Sequence, residues 1–149
     1  MGIISSSLKQ ELLDTLKRHE GVRNYAYLCP AGYWTIGVGR NVDEDSGRGL
    51  SENEIEYLLS NDVELSTEEL VDTFPWFEDC PDAVKIILIN MHFNIGLSRL
   101  KGFKKMLAAI EDKNYGIAAK EMLDSRWATQ VGQRAVELSI EMKNQHGVC

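Results

Sequence analysis

The first part of the chain has the apolar spacing of an amphipathic helix. Four leucines between positions 8 and 16 recur at helical spacing, which places them on one face of a helix. Ser7 with Gln10 three residues later has the form of a capping box, a common helix start. The pattern predicts a helix from about Ser7 to about His19, which Gly21 ends.

The pattern then changes to short segments rich in aromatic and β-branched residues. Residues 25–28 and 33–38 predict two strands, and residues 29–32, with Pro30 and Gly32, predict the hairpin turn between them. Two or three short strands are marginal on their own. We therefore expect a small antiparallel sheet that leans on a helix.

The rest of the chain is dominated by helix patterns. Residues 51–54 form a second capping box and open a long acidic helix that we expect to end near residue 71, before Pro75. Further helices are predicted over residues 82–93, 102–111, 116–124 and 132–145. The run 86–89 is hydrophobic all round, which predicts the buried centre of a helical bundle.

These elements predict an α+β protein that forms one domain over residues 1–149. We expect a small N-terminal lobe at about 8–50, a connecting helix at about 51–71 and a helical lobe at about 72–145. A helix of about 20 residues spans about 30 Å, the diameter of a small domain. We expect a cleft between the lobes, because ligand sites favour such positions.

The charge of the chain is unevenly distributed. The net charge is −7, and residues 1–49, 50–82 and 83–149 contribute 0, −11 and +4. An acidic chain lacks the basic footprint that phosphate binding needs, so nucleic acid is not the expected partner. The candidate footprint for an anionic ligand lies at Arg99, Lys101, Lys104 and Lys105.

The cysteines and the N-terminus exclude several further classes. Three cysteines and three histidines have neither metal-ligand spacing nor the pattern of a disulfide framework, so we expect no metal and no cofactor. The N-terminus lacks the basic start and long apolar core of a signal peptide. No uncharged stretch is long enough to span a bilayer, so no membrane insertion is expected.

Three side chains around the predicted hairpin are candidates for one site. Glu20 ends the first helix, Cys29 lies at the turn after eight intervening residues, and Thr35 lies in the return strand after five more. A hairpin that folds back beside Glu20 would bring all three to one edge of a cleft. The spacing alone also fits a surface carboxylate, a turn cysteine and an ordinary strand threonine.

This spacing resembles the catalytic pattern of the phage-type lysozymes, or endolysins. In that pattern a Glu is followed first by an Asp or a Cys and then by a Thr. Residues 20–25 and 32–39 resemble the same family, and the resemblance covers about residues 8–145. Further matches follow in the same order at Leu88, Ile89, Asn90, Met91, Phe93, Gly96, Gly102, Phe103, Ala118, Ala119, Ser125, Arg126, Trp127, Arg134 and Ala135. The resemblance implies a muramidase that cleaves the β-1,4 bond between N-acetylmuramic acid and N-acetylglucosamine in peptidoglycan.

The resemblance also implies a role for each candidate residue. Glu20 is the general acid, since glycosidic cleavage needs a proton on the leaving oxygen. Cys29 stands where Asp is commoner and acts as general base with inversion or as nucleophile with retention. Thr35 positions the attacking water. Phe93 lines the cleft, and Arg134 faces the catalytic glutamate.

Three positions depart from the family pattern. Arg40 follows Gly-x-Gly where the family usually has His, which puts a structural ion pair of the family in doubt. Asn41 and Glu121 fall at sugar-contact positions with altered chemistry, so no sugar-binding role is assigned to them.

Membership of the family would make bacterial peptidoglycan the partner of a monomeric enzyme. The enzyme would stay in the host bacterial cytoplasm until a holin-type partner opens the membrane, or would travel in a virion. Two alternatives stay open. One is a Cys29-dependent amidase or peptidase with His92 or His19 as base, and the other is a non-catalytic wall-binding module.

Overall fold

The computed structural model describes residues 3–145, which form seven α-helices, three β-strands and one 3-10 helix. The elements in chain order are α1 (Ser6–Glu20), β1 (Arg23–Leu28), β2 (Trp34–Gly37), β3 (Arg40–Asn41), α2 (Glu52–Thr73), the 3-10 helix (Phe77–Asp79), α3 (Asp82–Lys101), α4 (Lys104–Glu111), α5 (Tyr115–Leu123), α6 (Arg126–Val131) and α7 (Gln133–Lys143). The predicted α+β class, with a short antiparallel sheet near the N-terminus, is confirmed.

The chain divides into two compact units, one up to Tyr57 and one from Leu58 onward. The first unit contains α1, the sheet and the start of α2. The second contains the rest of α2 and the helices that follow. None of the helices within residues 3–145 combines the length and the apolar character that crossing a membrane requires.

Helix α1 begins earlier than the sequence predicts. The side chain of Ser5, in extended backbone conformation, accepts a hydrogen bond from the Leu8 N–H at 3.1 Å. The prediction of Ser7 as the cap was wrong, because three consecutive serines offer three alternative caps. As predicted, Gly21 ends the helix, and it adopts a φ of 79°.

The predicted hairpin is confirmed. Strands β1 and β2 pair antiparallel with Tyr27 opposite Thr35, and β3 pairs with the other edge of β2. The Cys29 N–H donates to the Tyr33 carbonyl at 2.9 Å, and the Gly32 N–H donates to the Cys29 carbonyl at 2.8 Å. Gly32 adopts a φ of 87°, which a residue without a side chain tolerates.

The second capping box is also confirmed, and it starts α2. The Glu54 N–H donates to Ser51 Oγ at 3.2 Å, and the Ser51 N–H donates to Glu54 Oε1 at 2.8 Å. Two N–H groups that the helix leaves unpaired are thereby satisfied. The helix continues to Thr73, two residues beyond the expected end.

The hydrophobic core lies in the second unit. Its fully buried side chains include Leu70, Ile87, Leu88, Met91, Leu100, Met106, Ile110, Met122 and Met142. The prediction that residues 86–89 are all buried was wrong for Ile86, which is 63% exposed while Ile87 is 1% exposed. A helix on the surface of a bundle buries one face only, even where the sequence is apolar on both.

Two helices of the second unit differ from the prediction. Helix α3 runs to Lys101, well beyond residue 93, with an interruption at Gly96 (φ 82°, ψ 168°). Helix α6 was not predicted, since six residues are too few to show a period. Ser125 starts α6 by accepting the Ala128 N–H at 3.1 Å.

The three tryptophans occupy different environments. Trp127 is 4% exposed and donates its indole N–H to Asn94 Oδ1 at 2.8 Å. Trp76 packs against the core. Trp34, in contrast, is half exposed on β2.

Candidate active site

The carboxylate of Glu20 lies against the turn between β2 and β3. Glu20 is the last residue of α1 and is exposed. A Cβ atom built on Gly39 would lie 2.9 Å from Glu20 Oε2, so the carboxylate occupies the space of a side chain at position 39. Gly39 also has a φ of 68°, a conformation that favours glycine. The absence of a side chain at Gly39 therefore lets this turn pack against Glu20.

The thiol of Cys29 is held in the hairpin turn. It is half-buried, and its Sγ accepts the Tyr33 N–H at 3.4 Å. This amide is the main cause that lowers the pKa of Cys29; burial acts in the opposite direction, and the amides of Ala31 and Gly32 lower it further. Donors directed at sulfur stabilise the thiolate, so the turn favours the reactive form of the residue.

Thr35 lies beside this turn on β2. The residue is buried, at 4% exposure, and its hydroxyl donates to the Tyr33 carbonyl at 2.8 Å. Tyr27, two residues before Cys29, lies opposite Thr35, and the Cys29 N–H donates to the carbonyl of Tyr33, two residues before Thr35. The hairpin therefore makes Thr35 and Cys29 neighbours. Within the described part of the chain, Glu20 makes no hydrogen bond to either residue. The shared site of all three residues therefore stays a prediction.

Arg40 forms an ion pair that the sequence did not indicate. Its Nη1 donates to Glu54 Oε1 at 2.8 Å, and its Nη2 lies 2.7 Å from Glu54 Oε2. Nη1 also donates to the Gly49 carbonyl at 3.0 Å. The Arg40 guanidinium, with a further contribution from the Ser51 N–H, lowers the pKa of Glu54 to about 2. Although Arg40 stands where the family usually has His, it forms an ion pair, and this ion pair joins β3 to the start of α2.

We expect Glu54→Gln to lower the melting temperature by a few degrees at pH 7, and by less in acid. The pKa of Glu54 lies at about 2 in the folded protein, below its ordinary 4.5. A carboxyl with a lowered pKa stabilises the fold fully above about pH 4.5, and this stabilisation is lost as the pH falls through about 2. Glutamine keeps the capping oxygen and removes the charge. Partial exposure of the pair keeps the effect modest.

Thermal unfolding of both proteins by circular dichroism between pH 7 and pH 2.5 checks this expectation. Glu56→Gln is the matched control, since Glu56 is exposed on the same helix. A difference between wild type and Glu54→Gln that stayed constant on acidification would contradict the role of the ion pair.

The second unit contains the two predicted supporting residues. Phe93 lies on α3 and is 49% exposed, so it is not a core aromatic. Arg134, on α7, is half-buried and donates from Nε to Asn90 Oδ1 at 2.9 Å and from Nη2 to the Asn90 carbonyl at 3.3 Å. These contacts tie α7 to α3.

His92 is engaged through both ring nitrogens. Its Nδ1 lies 3.0 Å from Ser66 Oγ, and its Nε2 lies 2.7 Å from Glu69 Oε1. A histidine that activates a thiol needs one ring nitrogen directed at the sulfur. These contacts therefore give no support to His92 as the base of a Cys29-dependent amidase.

A cationic cavity of about 560 Å³ lies in the second unit. Three of the four residues of the predicted anionic-ligand footprint line it, namely Arg99, Lys104 and Lys105. Arg126 and Trp127 also line the cavity, together with the acidic Glu121 and Asp124, so its basic side chains outnumber its acidic ones four to two. The sequence did not place Arg126 in this footprint because it lies distant along the chain. Over residues 3–145, no group of three or more His, Cys, Asp or Glu side chains could hold a metal ion.

The two cysteines within the described residues are unpaired thiols and should differ in reactivity. We expect iodoacetamide to alkylate Cys29 severalfold faster than Cys80 near neutral pH, because thiolate is the reacting form. Backbone amides lower the pKa of Cys29, whereas burial raises that of Cys80 against the smaller influence of Lys85. Peptide mass spectrometry over time separates both sites from Cys149, which lies outside the described residues. Equal rates at the two sites would contradict the expectation.

The sequence of the chain was compared with those of known proteins and protein families. The family model for phage lysozyme matches residues 17–141. The chain is 30% identical to probable T4-type lysozyme 2 of Dictyostelium discoideum, with 87% of this chain and 89% of that protein covered. It is 32% identical to the endolysin of Salmonella phage P22, with 74% and 77% covered.

A third relative is the endolysin of Acyrthosiphon pisum secondary endosymbiont phage 1. It is 28% identical, with 85% of each chain covered. The family match spans both compact units and includes all five candidate site residues. It supports the activity of a glycoside hydrolase that degrades peptidoglycan. The chain belongs to the phage lysozyme family.

Proposed function

We propose that the protein is a muramidase that cleaves the β-1,4 bond between N-acetylmuramic acid and N-acetylglucosamine. Glu20 is the general acid, Cys29 is the general base or nucleophile, and Thr35 positions water. The observation that carries the proposal is the position of the Glu20 carboxylate against Gly39, next to the sheet whose hairpin also carries Cys29 and Thr35. Membership of the family supports the same assignment.

Glu20 would act on the bridging oxygen of the glycosidic bond. Its carboxyl proton passes to that oxygen while the bond to the anomeric carbon breaks through an oxocarbenium-like transition state. The leaving sugar thereby departs as a neutral alcohol, and Glu20 remains as a carboxylate. Such proton transfer accelerates cleavage by about 10²- to 10⁴-fold.

Cys29 can complete the reaction by either of two routes. As a base, the thiolate takes a proton from water as the water attacks the anomeric carbon, and the product is inverted. As a nucleophile, the sulfur bonds to the anomeric carbon, and water then releases the sugar with retained configuration. The lowered pKa of Cys29 supports both routes, because each needs the thiolate.

Thr35 suits the positioning of water in the first route. Its hydroxyl proton is directed to the Tyr33 carbonyl. The hydroxyl oxygen retains lone pairs that can accept a hydrogen bond from water. Water held in this way would have a defined orientation toward the sugar.

The proposal includes supporting roles in the second unit. Phe93 offers an exposed aromatic ring for contact with a sugar, and Arg134 contributes positive charge. The cationic cavity that Arg99 and Lys105 line would attract the carboxylates of the wall. We propose that the enzyme reaches the wall through a holin-type lesion or as part of a virion.

Digestion of purified peptidoglycan tests the function directly. New reducing sugar ends would support a muramidase. New free amines would indicate an amidase instead, anhydro-sugar ends a transglycosylase, and no new ends a binding module. Proton NMR of the freshly formed anomers then separates inversion from retention. Cys29→Asp should keep activity if Cys29 acts as a base, since a carboxylate can fill that role.

A further inference from the structure

Arg40 connects separate parts of the first unit. It starts β3, directly after Gly39. Its guanidinium makes a two-point ion pair with Glu54 and a hydrogen bond to the Gly49 carbonyl. Two-point contacts fix the guanidinium in orientation as well as in position. The backbone at position 40 is thereby tied to the start of α2.

The partner of Arg40 is itself held in place. Glu54 Oε1 accepts the Ser51 N–H at 2.8 Å, and Ser51 Oγ accepts the Glu54 N–H at 3.2 Å. The carboxylate could not follow a moving Arg40 without breaking this capping box. The start of α2 is therefore a firm attachment point.

Apolar packing contributes little to holding the turn between β2 and β3. Among residues 3–57, Thr35 is the one buried residue, and α1 buries none. Gly37 and Gly39, on either side of Val38, have no side chains to pack, and Val38 is exposed. Apart from the pairing of β2 with β1 at Gly37 and with β3, the Arg40 side chain supplies the restraint next to this turn.

We propose that Arg40 is a positioning residue that acts through Gly39 to hold the Glu20 carboxylate in place for catalysis. Arg40 adjoins Gly39 in the chain, and the carboxylate rests on Gly39. A displacement of about 1 Å in a catalytic group can cost about 10²-fold in rate. The inference rests on the proposed role of Glu20 as general acid and gives the ion pair a purpose beyond stability.

The test compares Arg40→Met with Arg48→Met in the full-length protein. Both changes remove one positive charge, and Arg48 is an exposed arginine of the following loop. Arg40→Lys is the conservative variant. For each protein, kcat and KM on soluble peptidoglycan fragments are measured per folded molecule, well below its melting temperature. The NMR chemical shift of the ¹³C-labelled Glu20 carboxyl, measured at one fixed pH, provides a readout independent of activity.

We expect Arg40→Met to lower kcat by about ten- to a hundredfold, with little change in KM. Arg40→Lys should recover part of the loss, because an ammonium can still contact Glu54. Arg48→Met should behave as wild type. The NMR chemical shift of the Glu20 carboxyl should change in Arg40→Met and stay at its wild-type value in Arg48→Met. A purely stabilising arginine would affect the melting temperature alone.

An Arg40→Met protein with wild-type kcat and an unchanged chemical shift of the Glu20 carboxyl would overturn the inference and leave the role of Glu20 untouched. Full activity in Glu20→Gln would instead overturn the proposed function, and the role of Arg40 in catalysis with it. If Arg40→Met does not fold, Glu54→Gln removes the charge of the partner and keeps the cap. The same readouts then decide the question.

Discussion

Glu20→Gln is expected to lower the rate of peptidoglycan hydrolysis by about 10²- to 10⁴-fold with the fold unchanged. Glutamine has the shape of the acid but cannot give a proton to the leaving oxygen. Since Glu20 is exposed and forms no ion pair within residues 3–145, the substitution leaves no buried charge unpaired. The release of reducing ends from purified peptidoglycan, measured per folded molecule, gives the size of the loss.

Glu11→Gln is the matched control for this result. Glu11 is an exposed glutamate on the same helix. Its backbone carbonyl accepts a hydrogen bond from the Thr15 hydroxyl, and the substitution preserves that carbonyl. The control should keep full activity and the same melting temperature. A Glu20→Gln protein that retained a tenth or more of the wild-type rate would show that another group supplies the proton.

Local patterns were sufficient to predict most elements of the fold. The hairpin turn at residues 29–32 and the capping box at Ser51 depend on neighbours within four residues, and both were predicted correctly. Ile86 was placed wrongly because its exposure depends on which face of α3 the other helices cover. That information lies in distant parts of the chain.

The candidate site shows the same division between local and distant information. The proximity of Cys29 to Thr35 follows from the hairpin, which a short sequence specifies. The ion pair between Arg40 and Glu54 joins residues 14 positions apart, and no local rule selects that partner. The contact of Glu20 with Gly39 also depends on how α1 meets the sheet. The sequence around Gly39 therefore did not indicate that Glu20 lies against it.

Gly39→Ala is expected to lower activity by about 10²-fold, mainly by displacing Glu20. A methyl group at this position would lie 2.9 Å from Glu20 Oε2, which is closer than such atoms approach. The carboxylate ends a flexible side chain and can move aside, so the contact itself should cost little stability. A general acid displaced in this way no longer meets the bridging oxygen.

Gly37→Ala separates this effect from backbone strain. Gly37 has a φ of 69° against 68° for Gly39, so alanine at either position meets about the same strain, roughly 1–2 kcal/mol. A Cβ at Gly37 would have nothing within 4 Å. Both variants should therefore melt at similar temperatures, while only Gly39→Ala loses turnover per folded molecule. Equal activity in the two variants would mean that the position of the Glu20 carboxylate on this turn does not matter for catalysis.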